Sequence, residues 1–324
     1  MRTIGNAAKA AFKVLSNGIK KAKHKAEKLV SGFGNKKKDA SDSAEKSEGI
    51  SFPVRSGIGD SEDCPQDYKD LLVEKPFKDP VFIEMGQDPD LISAEFRKIG
   101  KDVLFLYDID DTLYHPSNNL QKMERKFLEE KYLSFKKDGT LETFKEELSL
   151  SLLYSSLFYN YVGISLEEYW EMLSEFDYLQ YLSPDVNLRN FLLSMKNIRR
   201  CCFTNGPRDR AENILAKLGV LDCFEVVISI GKYDKTFCCK PLIKSYEFVT
   251  KVLGIESPGN VYFFDDSEIN IIKAREFGWN GELITRDHNI IDVSSRILQE
   301  INEDARSLHF QKVSAVPSSK MPSN

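Results

Sequence analysis

A chain of 324 residues with 41% hydrophobic content can bury a full core, and its length suits one main domain with a smaller unit or a tail. Its six cysteines include the adjacent pairs Cys201-Cys202 and Cys238-Cys239 but no C-x-x-C spacing, which argues against a thiolate metal site or a disulfide scaffold and predicts reduced thiols, mostly buried. The net charge of −5 is uneven: residues 1–38 hold eleven Lys or Arg against one acid, Glu27, leaving −15 on the rest, which argues against a main body that binds a nucleic-acid polymer.

In chain order, Ile4, Ala8, Ala11, Leu15, Ile19, Ala22, Ala26 and Leu29 fall at helical spacing among lysines. Residues 1–38 therefore read as a basic amphipathic tail, either solvated and partly helical or weakly drawn to an anionic membrane surface. The N-terminus lacks the apolar core of a secretory signal, and no apolar run approaches the ~20 residues of a membrane span. A cytoplasmic protein is expected, with nuclear access or organelle targeting by the basic segment left open. Residues 39–95 read as a linker followed by an irregular arm punctuated by Pro65, Pro76, Pro80 and Pro89.

From Lys101 the pattern becomes a regular alternation. Strands are expected at 103–108, 198–204, 224–230, 260–265 and 282–285, with helices near 207–218, 241–253 and 267–277. Pro207 and Pro241 suit first helical turns, and Gly219, Gly254 and Gly278 suit helix ends. Such alternation predicts an α/β fold with a doubly wound, mostly parallel sheet. Residues 117–183 break the rhythm, with periodic segments near 118–136, 141–160 and 165–178, and read as an all-helical cap inserted after the first strand. The core is then 96–116 with 184–295, and 296–324 forms a C-terminal helix and disordered tail.

The chemistry is concentrated at strand ends. In VLFLYDIDDTLY, from Val103 to Tyr114, an apolar run stops at Asp108, and Asp110 and Thr112 follow at alternate positions. Residues two apart on extended backbone share a side, so the two acids converge, and they repel unless a cation or a shared proton relieves them. An acidic turn that merely caps a helix is the rival reading. Every later core strand also leads into polar residues: Thr204-Asn205-Gly206, then Lys240-Pro241, then Asp265-Asp266-Ser267. Parallel strands present these ends on one edge, so Asp108, Asp110, Thr204, Lys240 and Asp266 can meet there. A carboxylate at Asp108 can attack phosphorus to give an acyl phosphate, and Asp110 can act as acid and then base. Thr204 and the backbone N–H of Asn205 can bind phosphoryl oxygens, Lys240 can offset charge, and Asp266 can complete an all-oxygen Mg²⁺ site. Asp111 receives no chemistry and is free to face away.

At these residues the chain resembles the haloacid dehalogenase superfamily of phosphohydrolases, whose motifs run D-x-D-x-T, Thr or Ser, Lys, and an acidic pair. The resemblance spans residues 100 to 290 and implies a metal held by the Asp108 side chain, the Asp110 backbone carbonyl and Asp266. Thr112, Asp265 and Asn270 would stand just behind these ligands. Asp265 occupies a place where many members have Gly, and Asn270 one where many have Asp. Asp110 implies a phosphatase, because the dehalogenase branch lacks this acid. More narrowly, DIDDTLY, FTN, the segment Asp185 to Leu193, CKP and FFDDS are similar to the yeast and plant type of pyrimidine 5′-nucleotidase, which implies UMP or CMP as substrate. That group often shows L-Y-x-x-Y-G in the cap, where this chain has Leu157, Phe158, Tyr161, Val162 and then Gly163, one place late. Tyr114 and Tyr161, with Phe158 and Tyr159, are candidates to stack on a base, against the plainer reading of core packing. Other readings stay open: a phosphatase for another small metabolite, such as a sugar phosphate or a lysophospholipid headgroup, or a noncatalytic or membrane-tethered regulatory protein that keeps the fold.

Overall fold

The computed structural model describes residues 79–92, 96–115 and 119–314, the last eleven of these as helical backbone only. The basic segment 1–38, the linker as far as residue 78 and the tail beyond 314 lie outside the described residues.

Six strands form one sheet in the order β1-β4-β3-β2-β5-β6, all parallel. They are β1 (Val81–Glu84), β2 (Leu104–Tyr107), β3 (Arg199–Pro207), β4 (Val226–Ile230), β5 (Val261–Asp265) and β6 (Asn280–Leu283). LFLY of β2 and VVISI of β4 are buried throughout, as strands covered on both faces must be. Helices α5 (Val186–Ser194), α6 (Arg208–Leu218), α7 (Ile243–Leu253), α8 (Glu268–Glu276) and α9 (Ile290–Ser314) supply the cover. One core contains Phe105, Tyr107, Leu188, Ile214, Leu215 and Phe264; the other contains Leu104, Leu106, Phe203, Tyr246, Val249 and Phe263. Alternate residues of β2 thus feed opposite cores. The chain leaves β2 for β3 on one side and later returns to β5 on the other, so β2 ends where the order of connection reverses. That crevice is where open α/β sheets bind ligands.

Between β2 and α5 lie α1 (Leu120–Phe135), α2 (Leu141–Ser149), α3 (Tyr154–Leu157) and α4 (Leu166–Ser174). They enclose a third cluster of Leu128, Tyr132, Phe144, Leu157, Phe158, Tyr169 and Met172. Thr140 and Ser165 begin α2 and α4 with capping boxes. The segment expected at 141–160 is broken instead. After Ser149 the chain turns, Ser156 Oγ accepts from Leu153 N at 3.1 Å, and helix resumes only at Tyr154. Short hydroxyl side chains that bond the backbone compete with the helical ladder in this way. From α3 the helix widens into a π turn, Phe158–Val162, closed by Gly163 N donating to Phe158 O at 2.9 Å, with Gly163 at φ 86°. The segment expected at 165–178 ends as helix at Ser174 and continues as a tight turn at Tyr178–Tyr181.

Other expectations need correction. Part of the supposed irregular arm is β1, an edge strand paired with β4, which makes the acid-bearing strand the second of the chain. Its signal is short because Pro80 and Pro89 bracket it, yet Pro80 precedes the first ladder residue, where its missing N–H costs nothing. Strand β3 runs on through Pro207 with a shift of register after Phe203, and α6 starts one residue later than expected. Pro241, joined to Lys240 by a cis peptide, lies outside α7, which begins at Ile243. Strand β6 falls two residues early, and the final helix begins at Ile290, where Asn289 Oδ1 accepts from the N–H groups of Ile291 and Asp292. Gly219 and Gly254 do close their helices in the left-handed conformation. Among the described residues no helix is long and apolar enough to cross a membrane.

Candidate active site

Asp108 is the first residue past β2, and its N–H donates to Phe264 O at 2.8 Å, so it continues the ladder to β5. Its side chain is buried and its Oδ1 lies 2.8 Å from Lys240 Nζ. That ammonium, only 1% exposed, also donates to Asp265 Oδ2 and Phe203 O, each at 2.7 Å. Lys240 therefore ties the ends of β2, β3 and β5 together. Asn205 fixes its main chain, accepting from Lys240 N at 2.9 Å and donating to Lys240 O at 3.0 Å. The Asn205 side chain is committed to this clasp. Thr204, also buried, accepts from Gly206 N at 3.0 Å.

One ligand atom from each of Asp108, Asp265 and Asp266 lies within 4.8 Å of the others. Burial pushes the Asp108 carboxyl well above the usual range, with Asp265 and Asp266 adding to the rise and Lys240 opposing it. Burial, and then the charge of Asp265, lifts Asp266 to about 7. Lys240 is raised, its two carboxylate partners outweighing its burial. With all three carboxyls ionised, one ammonium leaves two surplus negative charges, and all the side-chain donors are hard oxygens. That donor set fits a magnesium-class divalent ion, with Asp108 and Asp266 as side-chain ligands. Asp265 is closer to this centre than expected, since it shares Lys240 with Asp108. Asn270 Nδ2 donates to both Asp265 oxygens, at 3.0 and 3.1 Å, so it braces that carboxylate. Thr112 Oγ1 is buried without a hydrogen-bond partner.

Asp110 is held differently. Its Oδ1 accepts from Arg210 Nε at 3.2 Å, Arg210 Nη2 at 2.9 Å and Tyr114 OH at 2.8 Å. Burial works against its charge, but Arg210 prevails and keeps the carboxyl below its usual range. Arg210 also reaches Glu124 of α1, Nη1 to Oε1 at 2.7 Å and Nη2 to Oε2 at 3.1 Å. Neither Arg210 nor Glu124 was expected here. A usable signal existed: Arg210 is the third residue of α6, and a cation near a helix N-terminus opposes the dipole, so it calls for an acidic partner elsewhere. Glu124 carries no such mark.

Asp111 does not turn out to solvent: it is buried at φ 55° with Oδ1 unpartnered, and burial with the charge of Asp110 lifts it to about 6. The aromatic candidates divide between the main core and the helical insertion. The Tyr114 ring packs in the main core and its hydroxyl donates to Asp110, and the residue also lines a cleft with Thr112, Asp185 and Asn187. Tyr161 is set among the cap helices, with Glu147 of α2 as its charged neighbour, rather than with the strand-end residues. Phe158 is core to the helical cluster, and Tyr159 packs near Phe237 of the loop after β4.

Comparison with known proteins follows the same line. The haloacid dehalogenase-like hydrolase family matches residues 103–278. Phosphate metabolism protein 8 of Saccharomyces cerevisiae is 31% identical over 192 residues, covering 54% of this chain and 59% of that protein. The (S)-2-haloacid dehalogenase of Xanthobacter autotrophicus is 29% identical over 105 residues, covering 32% of this chain and 40% of that protein. The chain thus spans 59% and 40% of the lengths of these two curated relatives. Among solved structures, a haloacid dehalogenase-family enzyme of Bacteroides thetaiotaomicron in complex with magnesium and inorganic phosphate is similar at a TM-score of 0.35 and 18% identity, covering 56% of this chain and 94% of that one. With the family's match spanning more than half of its residues, the chain belongs to the haloacid dehalogenase-like hydrolases.

Proposed function

We propose that the chain is a Mg²⁺-dependent phosphomonoester hydrolase that works through a phosphoaspartate at Asp108, with a pyrimidine nucleoside 5′-monophosphate, UMP or CMP, as substrate. The observation that carries this reading is the cluster of Asp108, Lys240, Asp265 and Asp266 at the switch point of the sheet, with Asp110 beside it. Asp108 attacks phosphorus and the bond to the leaving oxygen breaks; Asp110, which must first take up a proton against the pull of Arg210, gives it to that oxygen. Asp110 then takes a proton from the water that cleaves the acyl phosphate. Thr204 and the backbone N–H of Asn205 bind the phosphoryl oxygens, while Lys240 keeps Asp108 placed and offsets charge. A bound Mg²⁺ would neutralise phosphoryl charge and orient the phosphate. Asp108, the Asp110 carbonyl and Asp266 would hold it.

Asp110 favours this chemistry over haloacid dehalogenation, and the name of the yeast relative, Phosphate metabolism protein 8, accords with it. The nucleotide preference rests on the motif resemblance alone. The first 38 residues would add weak contact with anionic membrane, and no nucleic-acid polymer is expected to bind. The test is phosphate release from a panel of UMP, CMP, sugar phosphates and a lysophospholipid phosphate, with and without Mg²⁺, beside chloride release from (S)-2-chloropropionate. UMP and CMP should lead the panel, and Asp108→Asn should abolish release; unchanged release in that variant would sink the mechanism.

A further inference from the structure

Arg210 stands where the helical insertion meets the catalytic turn. It rises from α6 on the sheet side, its side chain 11% exposed, and uses two edges of its guanidinium. The Nε/Nη2 edge holds Asp110 Oδ1, and the Nη1/Nη2 edge holds both oxygens of Glu124, which is 13% exposed. Tyr178, in the turn that leads back from the insertion, covers the guanidinium with its ring centroid 4.8 Å away. Among the described residues, the hydrogen bonds of the Glu124 carboxylate go to Arg210. Binding at two edges and one face leaves the guanidinium plane little freedom.

The grip on Asp110 is one-sided. Oδ1 takes the Arg210 and Tyr114 donors, whereas Oδ2 lies 3.5 Å from where a Cβ on Gly206 would stand, a point 3.4 Å from Thr204 Oγ1 and 3.4 Å from Arg210 Cδ. Arg210 thus turns one oxygen of Asp110 toward the Thr204 corner, and the absence of a side chain at Gly206 keeps that approach open. A pair kept for stability alone would be neutral, as Arg189 with Asp222 is. Here one cation is shared between a carboxylate of the catalytic turn and a carboxylate of the insertion.

We propose that Arg210 is a positioning residue for Asp110 whose own placement is set by Glu124, so that seating the helical insertion and aiming the Asp110 carboxylate are a single event. This rests on the phosphohydrolase reading, with Asp110 as the proton carrier. Lifting α1 away would remove Glu124, free one edge of the guanidinium and let Asp110 swing with it. Catalysis would then be confined to the seated state, in which water is also excluded.

The test uses the full chain with Mg²⁺ and p-nitrophenyl phosphate, a substrate too small to need specific contacts with the insertion. Glu124→Gln should lower kcat about 10- to 100-fold with KM changed less than about twofold, and Glu124→Asp should recover part of the loss. Glu147→Gln, which loosens α1 against α2 at Lys136 far from Arg210, should leave kcat within about twofold. Wild-type kcat in Glu124→Gln, or an equal loss in Glu147→Gln, overturns the proposal. Amide exchange without substrate gives an answer independent of turnover. Glu124→Gln should speed exchange several-fold in residues 110–114 as well as in α1. Unchanged exchange at 110–114 overturns the proposal even if no phosphomonoester is hydrolysed, whereas an inactive wild type that shows the faster exchange defeats only the hydrolase reading.

Discussion

The two ends of β3 carry ionic clusters of opposite character. At the amino edge Arg199 meets Glu225 through Nε and Nη2 and Asp102 through Nη1, and it also donates to the carbonyls of Arg97 and Lys98. Arg97 pairs with Asp102 in turn, so two cations balance two anions. Arg200 beside it is buried and donates to Met195 O and Cys223 O. At the carboxyl edge three carboxylates share one lysine. Around Arg199 the charges pair off one for one, with Arg97 and Asp102 reaching solvent, whereas at the carboxyl edge a buried surplus of carboxylate remains for a cation or a substrate to answer. Charge balance, more than the presence of buried charge, separates the structural cluster from the functional one.

Four substitutions sharpen that contrast. The largest effect is expected from Lys240→Met, which leaves Asp108 and Asp265 buried without their shared cation. Unfolding free energy should fall by about 3–5 kcal/mol, as when one partner of a buried pair is removed, and activity should vanish. Urea denaturation with and without Mg²⁺ measures it, and Mg²⁺ should restore part of the stability. Next, Arg199→Met at the opposite edge should cost about 2–4 kcal/mol while leaving kcat per folded molecule within about twofold. A comparable loss of kcat would dissolve the distinction between the two ends.

A smaller effect of reversed sign is expected at Asp266. Its folded pKa of about 7 lies above the unfolded value, so this group contributes stability that is fully present below about pH 4 and lost as pH rises through about 7. Asp266→Asn should therefore raise the stability of the metal-free protein at pH 8 by about 1–3 kcal/mol, and it should also abolish the Tm increase given by Mg²⁺. Thermal melts at pH 5 and 8 decide this. The smallest change belongs to the half-exposed pair of Arg296 and Glu300, where Arg296→Ala should alter stability by about 0.5 kcal/mol or less.

The parts of the molecule legible in the sequence are those written by local periodicity. The buried runs at Leu104–Tyr107, Val226–Ile230 and Val261–Asp265 declare themselves as strands, and because parallel strands share a polarity, their polar successors had to gather on one edge. Asp108, Lys240 and Asp266 follow from that logic. Arg210 and Glu124 do not, because each meets a partner 86 to 100 residues away: the cation in the first turn of α6 calls for an acid without saying which, and nothing local marks Glu124. Strand β1 was hidden for a different reason: four residues between prolines carry too little alternation to tell an edge strand from an arm. Tyrosine is hard to read from sequence because its ring and its hydroxyl answer to different neighbours. In Tyr114 the ring follows the core, while the hydroxyl alone belongs to the site.

The π turn at Phe158–Val162 gives the cap pattern a second meaning. An i→i+5 ring holds one residue more than an α-helical ring, so a helix can absorb a single inserted residue in one wide turn and leave the rest of its register undisturbed. The glycine that stands one place late against the related pattern stands at the end of that wide turn, at Gly163. The mismatch then reads as an insertion already accommodated: removing Val162 would convert the wide ring to an ordinary one and bring Tyr161 and the glycine side by side.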